Sequence, residues 1–343
     1  MPMKCAQDNN PLVSILVPVY NVEEYIERCA RSVFGQTYDN LEFLFVDDCC
    51  TDDSINILER VIKDYPHLQQ RIRVLHHEKN RGLSAARNTL MYNSTGEFVY
   101  HVDSDDWLEP IAVEKLVEKQ VETSADIVVG KWDVYLPNGE IFKNEITGCE
   151  LEPLKYIEAS LSMKVSCTMW NRLIRHSLYV DNHIRWGESM WREDYSTLLK
   201  VYYFAKSTSY VDNVLYHYDL RRNTSIRNLE KKNVTLYSQA FCYESDIISF
   251  FSNKEPILLE KALGYPIIKR HDMLRDSLYR GDKNAYRFIV MNIKKETDHS
   301  QWHLIRWDNP LVQFVESHYH IHRFKNKCGR LKWRLLSFCS GRK

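Results

Sequence analysis

Two rhythms of apolar residues alternate along the first 130 positions of the chain. Segments 12–19, 41–46, 72–75, 98–102 and 127–130 are short, nearly continuous apolar runs between polar residues, the pattern of strands buried on both faces. Between them, apolar residues recur at helical spacing: Ile26, Val33 and Phe34; Ile55, Leu58, Val61 and Ile62; the stretch 83–93; and Val113, Leu116, Val117 and Val121. Asn21 is placed to cap the first helix and Gly35 to close it, and Thr51, Asp52, Asp53 and Ser54 offer caps for the second. Strands alternating with helices of this length imply βαβ units, hence an α/β fold on a mostly parallel sheet with helices on both faces.

Beyond residue 130 the rhythm changes. Segments 132–136 and 140–143 flank Pro137-Asn138-Gly139, a hairpin signal. A helix is expected over 154–163 and another over 194–205, followed by short strands at 208–211 and 214–218. Segment 170–192 is aromatic and basic without clear periodicity, and from 228 to about 306 the chain reads as helices. These readings divide the chain into an α/β domain over 1–225 and a C-terminal helical extension over 226–343.

Composition narrows the class without naming it. A hydrophobic share of 44% and a charged share of 27% belong to an ordinary globular protein, and 46 basic residues balance 46 acidic ones. That balance gives no reason to expect a nucleic-acid partner. Nine cysteines lack the paired spacing of a zinc or disulfide scaffold, which favours a reducing compartment. Neither a signal-peptide pattern nor a long apolar span is visible, so a cytoplasmic protein is expected.

Candidate chemistry lies where strands end. The run 98–102 stops at Asp103, Asp105 and Asp106, and other acid pairs stand at Asp47-Asp48 and Glu193-Asp194. Carboxylates crowded together repel unless a cation or donor network neutralises them, and in open α/β sheets ligands bind outside the carboxyl ends of the strands. Asp103-Ser104-Asp105 is therefore a candidate metal and phosphate site. Arg87, one turn into a helix opened by Gly82, either contacts phosphate or pairs with an acid of the sheet end. The donor-rich loop 221–225, with Arg222 and Ser225, suits a diphosphate. No Gly-x-Gly-x-x-Gly, Gly-Lys-Ser/Thr or Gly-x-Ser-x-Gly follows the first strand, which argues against a dinucleotide fold, a P-loop and a hydrolase elbow.

Four motifs in fixed order carry a resemblance: Val17-Pro18-Val19-Tyr20-Asn21; Val46-Asp47-Asp48 with Thr51-Asp52-Asp53-Ser54; Asn80-Arg81-Gly82 with Ala86-Arg87-Asn88; and Asp103-Ser104-Asp105-Asp106. The chain resembles the family 2 glycosyltransferases of GT-A fold. The resemblance implies transfer of a sugar, with inversion, from a nucleotide diphosphate donor, expected to be UDP-linked, to a glycan or lipid-linked acceptor. It implies that Pro18, Tyr20, Asn21, Asp47, Asp48, Arg87 and Asp103 line the nucleotide pocket. Asp105 then coordinates Mn2+ or Mg2+, and Asp194 acts as general base. Glu193, Asp106 and Trp170, with Arg222 and Ser225, are assigned to the diphosphate or acceptor side. Trp186, Trp191 and Tyr195 are further aromatics able to stack on sugar. A non-catalytic glycan- or nucleotide-binding module on the same fold is the alternative, and a sugar nucleotidyltransferase is disfavoured because its Gly-rich phosphate loop is missing. Cys49-Cys50 replaces the family's usual Gly-Ser, which puts a side chain where a tight turn favours glycine.

From 317 to 343 the chain carries eight Lys or Arg and no Asp or Glu, interleaved with Trp333, Leu335, Leu336 and Phe338. Such a segment suits an anionic membrane surface, placing the enzyme at the inner face of the cell membrane. The full chain is expected to co-sediment with anionic liposomes and a chain ending before Ser317 to remain in solution; equal partitioning would count against the contact.

Overall fold

The structure, a computed structural model, describes residues 10–143, 152–162, 164–165, 167–188, 193–221 and 243–262. The chain divides into two compact units after Leu258, and the elements named below belong to the first. They run β1 (Val13–Val19), α1 (Ile26–Phe34), β2 (Leu41–Asp47), α2 (Ser54–Lys63), a 3-10 turn (Pro66–Arg71), β3 (Ile72–His76), α3 (Leu83–Asn93), β4 (Phe98–His101), β5 (Trp107–Leu108) and α4 (Ala112–Thr123). Then follow β6 (Ile127–Tyr135), β7 (Ile141–Lys143), α5 (Pro153–Leu161), β8 (Arg172–Arg175), α6 (Ser177–Val180), α7 (Glu193–Phe204) and β9 (Thr208–Asp219).

All nine strands form one sheet in the order β3-β2-β1-β4-β8-β6-β9-β5, with β7 paired to β6. The half from β3 to β4 is parallel. The other half is mixed: β8 runs antiparallel to both β4 and β6, β9 parallel to β6, and β5 antiparallel to β9. Side chains alternate between the faces of the parallel half. Val13, Ile15, Val17, Phe43 and Phe45 join the residues of α1, α2 and α4 in one core, where Phe34 meets the Phe43 ring edge-on at 5.3 Å. Leu16, Leu44 and Val99, also buried, lie on the opposite face, the side on which α3 contributes Ala85, Ala86 and Leu90.

Several expectations are corrected. Segments 127–130 and 132–136 are a single strand, β6, and the two short strands after residue 207 are likewise one, β9. A bulge explains the apparent breaks: the register shifts at Lys131, so that Gly130 pairs with Val211 and Lys131 with Val214, and polar Asp212 and Asn213 are absorbed without a turn. The segment that showed no periodicity holds β8, whose Arg172 and Arg175 frame only Leu173 and Ile174. Asn21 does not cap α1, which starts at Ile26; its backbone is left-handed (φ 49) and its side chain accepts the Thr51 N–H at 2.8 Å.

The end of the sheet opposite the acid clusters is fastened by one carboxylate. Glu42 accepts hydrogen bonds from Ser14 Oγ (2.6 Å), Thr95 N (2.6 Å), Gly96 N (3.1 Å) and Arg73 (2.9 Å), joining β1, β2 and β3 to the turn before β4. Burial raises its pKa, but the bonds from Ser14, Thr95 and Arg73 outweigh it and hold the carboxyl below its ordinary range. Gly96 leaves no room for a side chain there. A Cβ would lie 2.5 Å from Ser14 Oγ and 2.7 Å from Ser14 N. Because the second of these is backbone, Gly96→Ala is expected to destabilise the fold by about 1–3 kcal/mol, read as a lowered urea midpoint; an unchanged midpoint would show that the strands can part at no cost.

Candidate active site

β1 and β4 pair only as far as Leu16 and His101, and beyond that point the sheet opens. Pro18 falls where β4 no longer runs alongside, so its missing N–H takes no bond from the ladder. Strand order reverses between these two strands, the position at which open α/β sheets bind ligands. Around this crevice stand Tyr20, 44% exposed, with Asn21 and the ends of β2, α3 and α7.

The ends of β1 and β2 are tied to each other. Asp47 accepts the Cys50 N–H (2.8 Å) and a hydrogen bond with His76 Nδ1 (3.0 Å); burial opposes but these donors prevail and depress its pKa. Cys49 adopts φ 64, so the left-handed turn persists with a cysteine in it, at a cost of about 1–2 kcal/mol. Asp48 is buried and occupied internally: it accepts the N–H groups of Arg81 (2.9 Å) and Gly82 (2.7 Å) and faces His77 Nδ1 at 2.6 Å. His77 in turn reaches Thr89 on α3 at 2.9 Å. Gly82 opens α3 with φ 85 and ψ 166, a backbone conformation reserved almost wholly to glycine.

Arg87 stands at the centre. Placed on α3 and 1% exposed, its guanidinium donates to Asp103 (3.0 Å) at the end of β4 and to Glu193 (2.7 Å) and Asp194 at the start of α7. Of the two roles open to Arg87 from sequence, the structure gives it the ion pair. Burial drives the Asp194 carboxyl up to about 7, with Glu193 and Asp103 adding to the rise and Arg87 opposing it. Asn88, next along, brackets the Trp186 backbone, donating to its carbonyl (2.8 Å) and accepting its N–H (2.9 Å).

The acid turn itself is braced through the main chain. Tyr216 Oη on β9 accepts the Asp103 N–H (3.1 Å) and donates to the Asp106 carboxylate (2.6 Å), which also accepts the Asp219 N–H (2.8 Å). Arg28, from α1, donates to the Asp105 carbonyl and to Asp219, both at 2.8 Å, with its guanidinium 3.8 Å from the centre of the Trp107 ring. Asp106 is fully buried, and burial together with Asp105 and Asp103 raises its pKa well above the ordinary value. Asp219 moves the other way: burial raises it, but Arg221 and Arg28 pull it down to about 2. Sequence reasoning missed Tyr216, Asp219 and Arg28, since a lone Tyr, Asp or Arg on an element carries no motif.

The aromatics assigned to the acceptor are packed. Trp170 is 5% exposed, stacked on Tyr216 (4.4 Å) and Tyr218 (5.3 Å). Trp186 stacks on Tyr179 (5.4 Å), and Tyr195 donates to the Ser160 carbonyl (2.5 Å). Trp191, Arg222, Ser225 and the tail from 317 lie outside the described residues.

Among the described residues, no three His, Cys, Asp or Glu side chains converge to hold an ion by themselves. A divalent ion would therefore need oxygens from a bound phosphate beside a single protein carboxylate. That is the ordinary mode for Mg2+ or Mn2+ with nucleotide diphosphates, and Asp105, partly exposed at the crevice, suits it. Local charge agrees: Asp103, Glu193 and Asp194 share one buried guanidinium, and Asp105 stands two residues from Asp103 on the same turn.

Residues 14–194 match the model of glycosyl transferase family 2, and the chain belongs to that family. It is 33% identical to EpsH of Bacillus subtilis over 65% of its length and 31% identical to the glycosyltransferase GlyA of Streptococcus pneumoniae over 80%. It spans 64% of the length of EpsH and 38% of GlyA. Among solved structures, residues 1–349 of TarS from S. aureus, in complex with UDP-GlcNAc, superpose with TM-score 0.55 at 20% identity, over 83% of this chain and 92% of that one. The mannosyltransferase PcManGT of Pyrobaculum calidifontis, bound to GDP-Man and Mn2+, gives TM-score 0.51 at 15% identity, over 85% and 83%. The fold is GT-A.

Replacing Arg87 with Met would leave three carboxylates facing one another without a counter-charge. The expected cost is about 3 kcal/mol, measured by denaturant unfolding; an unchanged unfolding curve would show that the acids do not depend on it.

Proposed function

We propose that this chain transfers a glycosyl group, with inversion, from a nucleotide diphosphate sugar, UDP-linked in preference, to a hydroxyl of a glycan or lipid-linked acceptor. The observation that carries the reading is the Arg87 cluster, which holds a raised-pKa carboxylate, Asp194, beside the Asp103–Asp105 turn at the open end of β1 and β4. Family membership, and a shared fold with proteins whose structures hold UDP-GlcNAc or GDP-Man with Mn2+, support it.

In this reading the domain over 1–225 carries the chemistry. Pro18, Tyr20 and Asn21 wall the nucleotide pocket, and Asp47 accepts from the base. Asp48 serves it indirectly, by fixing the Arg81–Gly82 loop. Asp103 contacts ribose or sugar. Asp105 would hold Mn2+ or Mg2+ against the diphosphate, whose leaving charge the ion neutralises when bound. Arg222 and Ser225 assist at the diphosphate. Asp194 takes the proton of the acceptor hydroxyl as its oxygen attacks the anomeric carbon, while the nucleotide diphosphate departs from the opposite face; inversion needs only this one base. Glu193 keeps Arg87 engaged, so Asp194 is held without being the only counter-charge. No described helix is long and apolar enough to cross a membrane, and a lipid-linked acceptor would be met through peripheral contact of the basic tail, on the cytoplasmic side.

Two measurements test the assignment. Asp194→Asn is expected to lower kcat by roughly 10²–10⁴ with UDP affinity retained, whereas Asp105→Asn abolishes the metal dependence of UDP binding; full turnover in either variant would refute its role. Because a base works only when ionised, kcat/KM should fall about tenfold per unit as pH drops below about 7 and level off above it. An acid limb at pH 4–5 would show that Asp194, as placed here, is not the titrating group.

A further inference from the structure

A groove of about 800 Å3 runs along α3, between that helix and the segment from α6 to Glu188. Tyr179 and Trp186, each 2% exposed, line it from within. It lies beyond the nucleotide pocket, yet close to the proposed base, for Asn88, which brackets the Trp186 backbone, follows directly on Arg87, the partner of Asp194. One end is bridged by Arg81 and Glu188 at 3.2 Å, which uses the charge of both.

Two groups on the groove are left over. Tyr92 is 85% exposed, an unusual position for a large aromatic ring, and its side chain makes no ring contact or hydrogen bond among the described residues. Arg185 is exposed and pairs with no carboxylate among the described residues. A planar aromatic face suits the apolar face of a pyranose ring, and a guanidinium suits a carboxylate through two parallel hydrogen bonds. A uronic acid carries both features in one residue. A neutral sugar would leave Arg185 unused, and a ring-free phosphodiester chain would leave Tyr92 unused.

We propose that this groove holds the acceptor glycan away from its reacting end and that it selects a chain containing uronic acid residues. The proposal rests on the glycosyltransferase reading and adds to it the class of acceptor. A glycan seated along α3 delivers its terminal hydroxyl past Trp186 towards Asp194, and the remote contacts favour longer acceptors over monosaccharides.

The test uses the full chain with trigalacturonate as probe, maltotriose as the neutral control and a glycerol phosphate oligomer as the ring-free anion, with binding followed by calorimetry. Trigalacturonate should bind at least tenfold more tightly than either control. Arg185→Glu should weaken it at least tenfold and Tyr92→Ala at least threefold, with UDP–Mn2+ affinity unchanged in both exposed-residue variants. Equal binding of maltotriose, preference for the glycerol phosphate oligomer, or indifference to both substitutions overturns the proposal. UDP–Mn2+ binding without trigalacturonate binding overturns the groove alone, whereas failure of the unaltered chain to bind UDP–Mn2+ removes the glycosyltransferase reading and this one together.

Discussion

The Arg87 guanidinium joins the end of β4, at Asp103 16 residues on, to the first turn of α7, at Glu193 106 residues on. Three carboxylates brought this close would drive one another apart or take up protons, so the crevice exists in its present shape only while the arginine is buried among them. The acids outnumber the guanidinium, so this part of the crevice keeps a negative field that would favour a cation.

The same economy separates what is fixed from what is offered. The turn that follows β4 is held through its peptide groups, with Tyr216 on the Asp103 N–H and Arg28 on the Asp105 carbonyl. Asp106, the third acid, is turned inward and absorbed by Tyr216 and Asp219. Adjacent acids of one short motif therefore do different work, and burial, not sequence position, distinguishes them.

Much of the parallel half of the fold was legible because its signals are local. An apolar run reports a strand buried on both faces, and a recurring apolar stripe reports a helix. What was hidden depends on partners distant in sequence. β8 is a central strand although it reads Arg-Leu-Ile-Arg, because Tyr156 hydrogen-bonds Arg172 and Asp126 pairs with Arg175. β9 looked like two strands because a bulge admits Asp212 and Asn213 without ending the ladder. At the site, the acids announced themselves by clustering, while Tyr216 and Arg28 are visible only once β9 and α1 are folded against the turn. The Cys49 turn shows the reverse: sequence put a side chain where a tight turn favours glycine and left the path of the loop open, and the backbone keeps the left-handed conformation.

Glu42 gathers β1, β2, β3 and the turn before β4 at the edge of the sheet farthest from the crevice. The carboxylate that fastens the parallel strands thus stands apart from the acids gathered around Arg87. A lineage can therefore rewrite the loops at the open edge, changing donor or acceptor, without loosening the strands beneath them. The fold tolerates innovation because its anchorage and its chemistry sit at opposite poles of the same sheet.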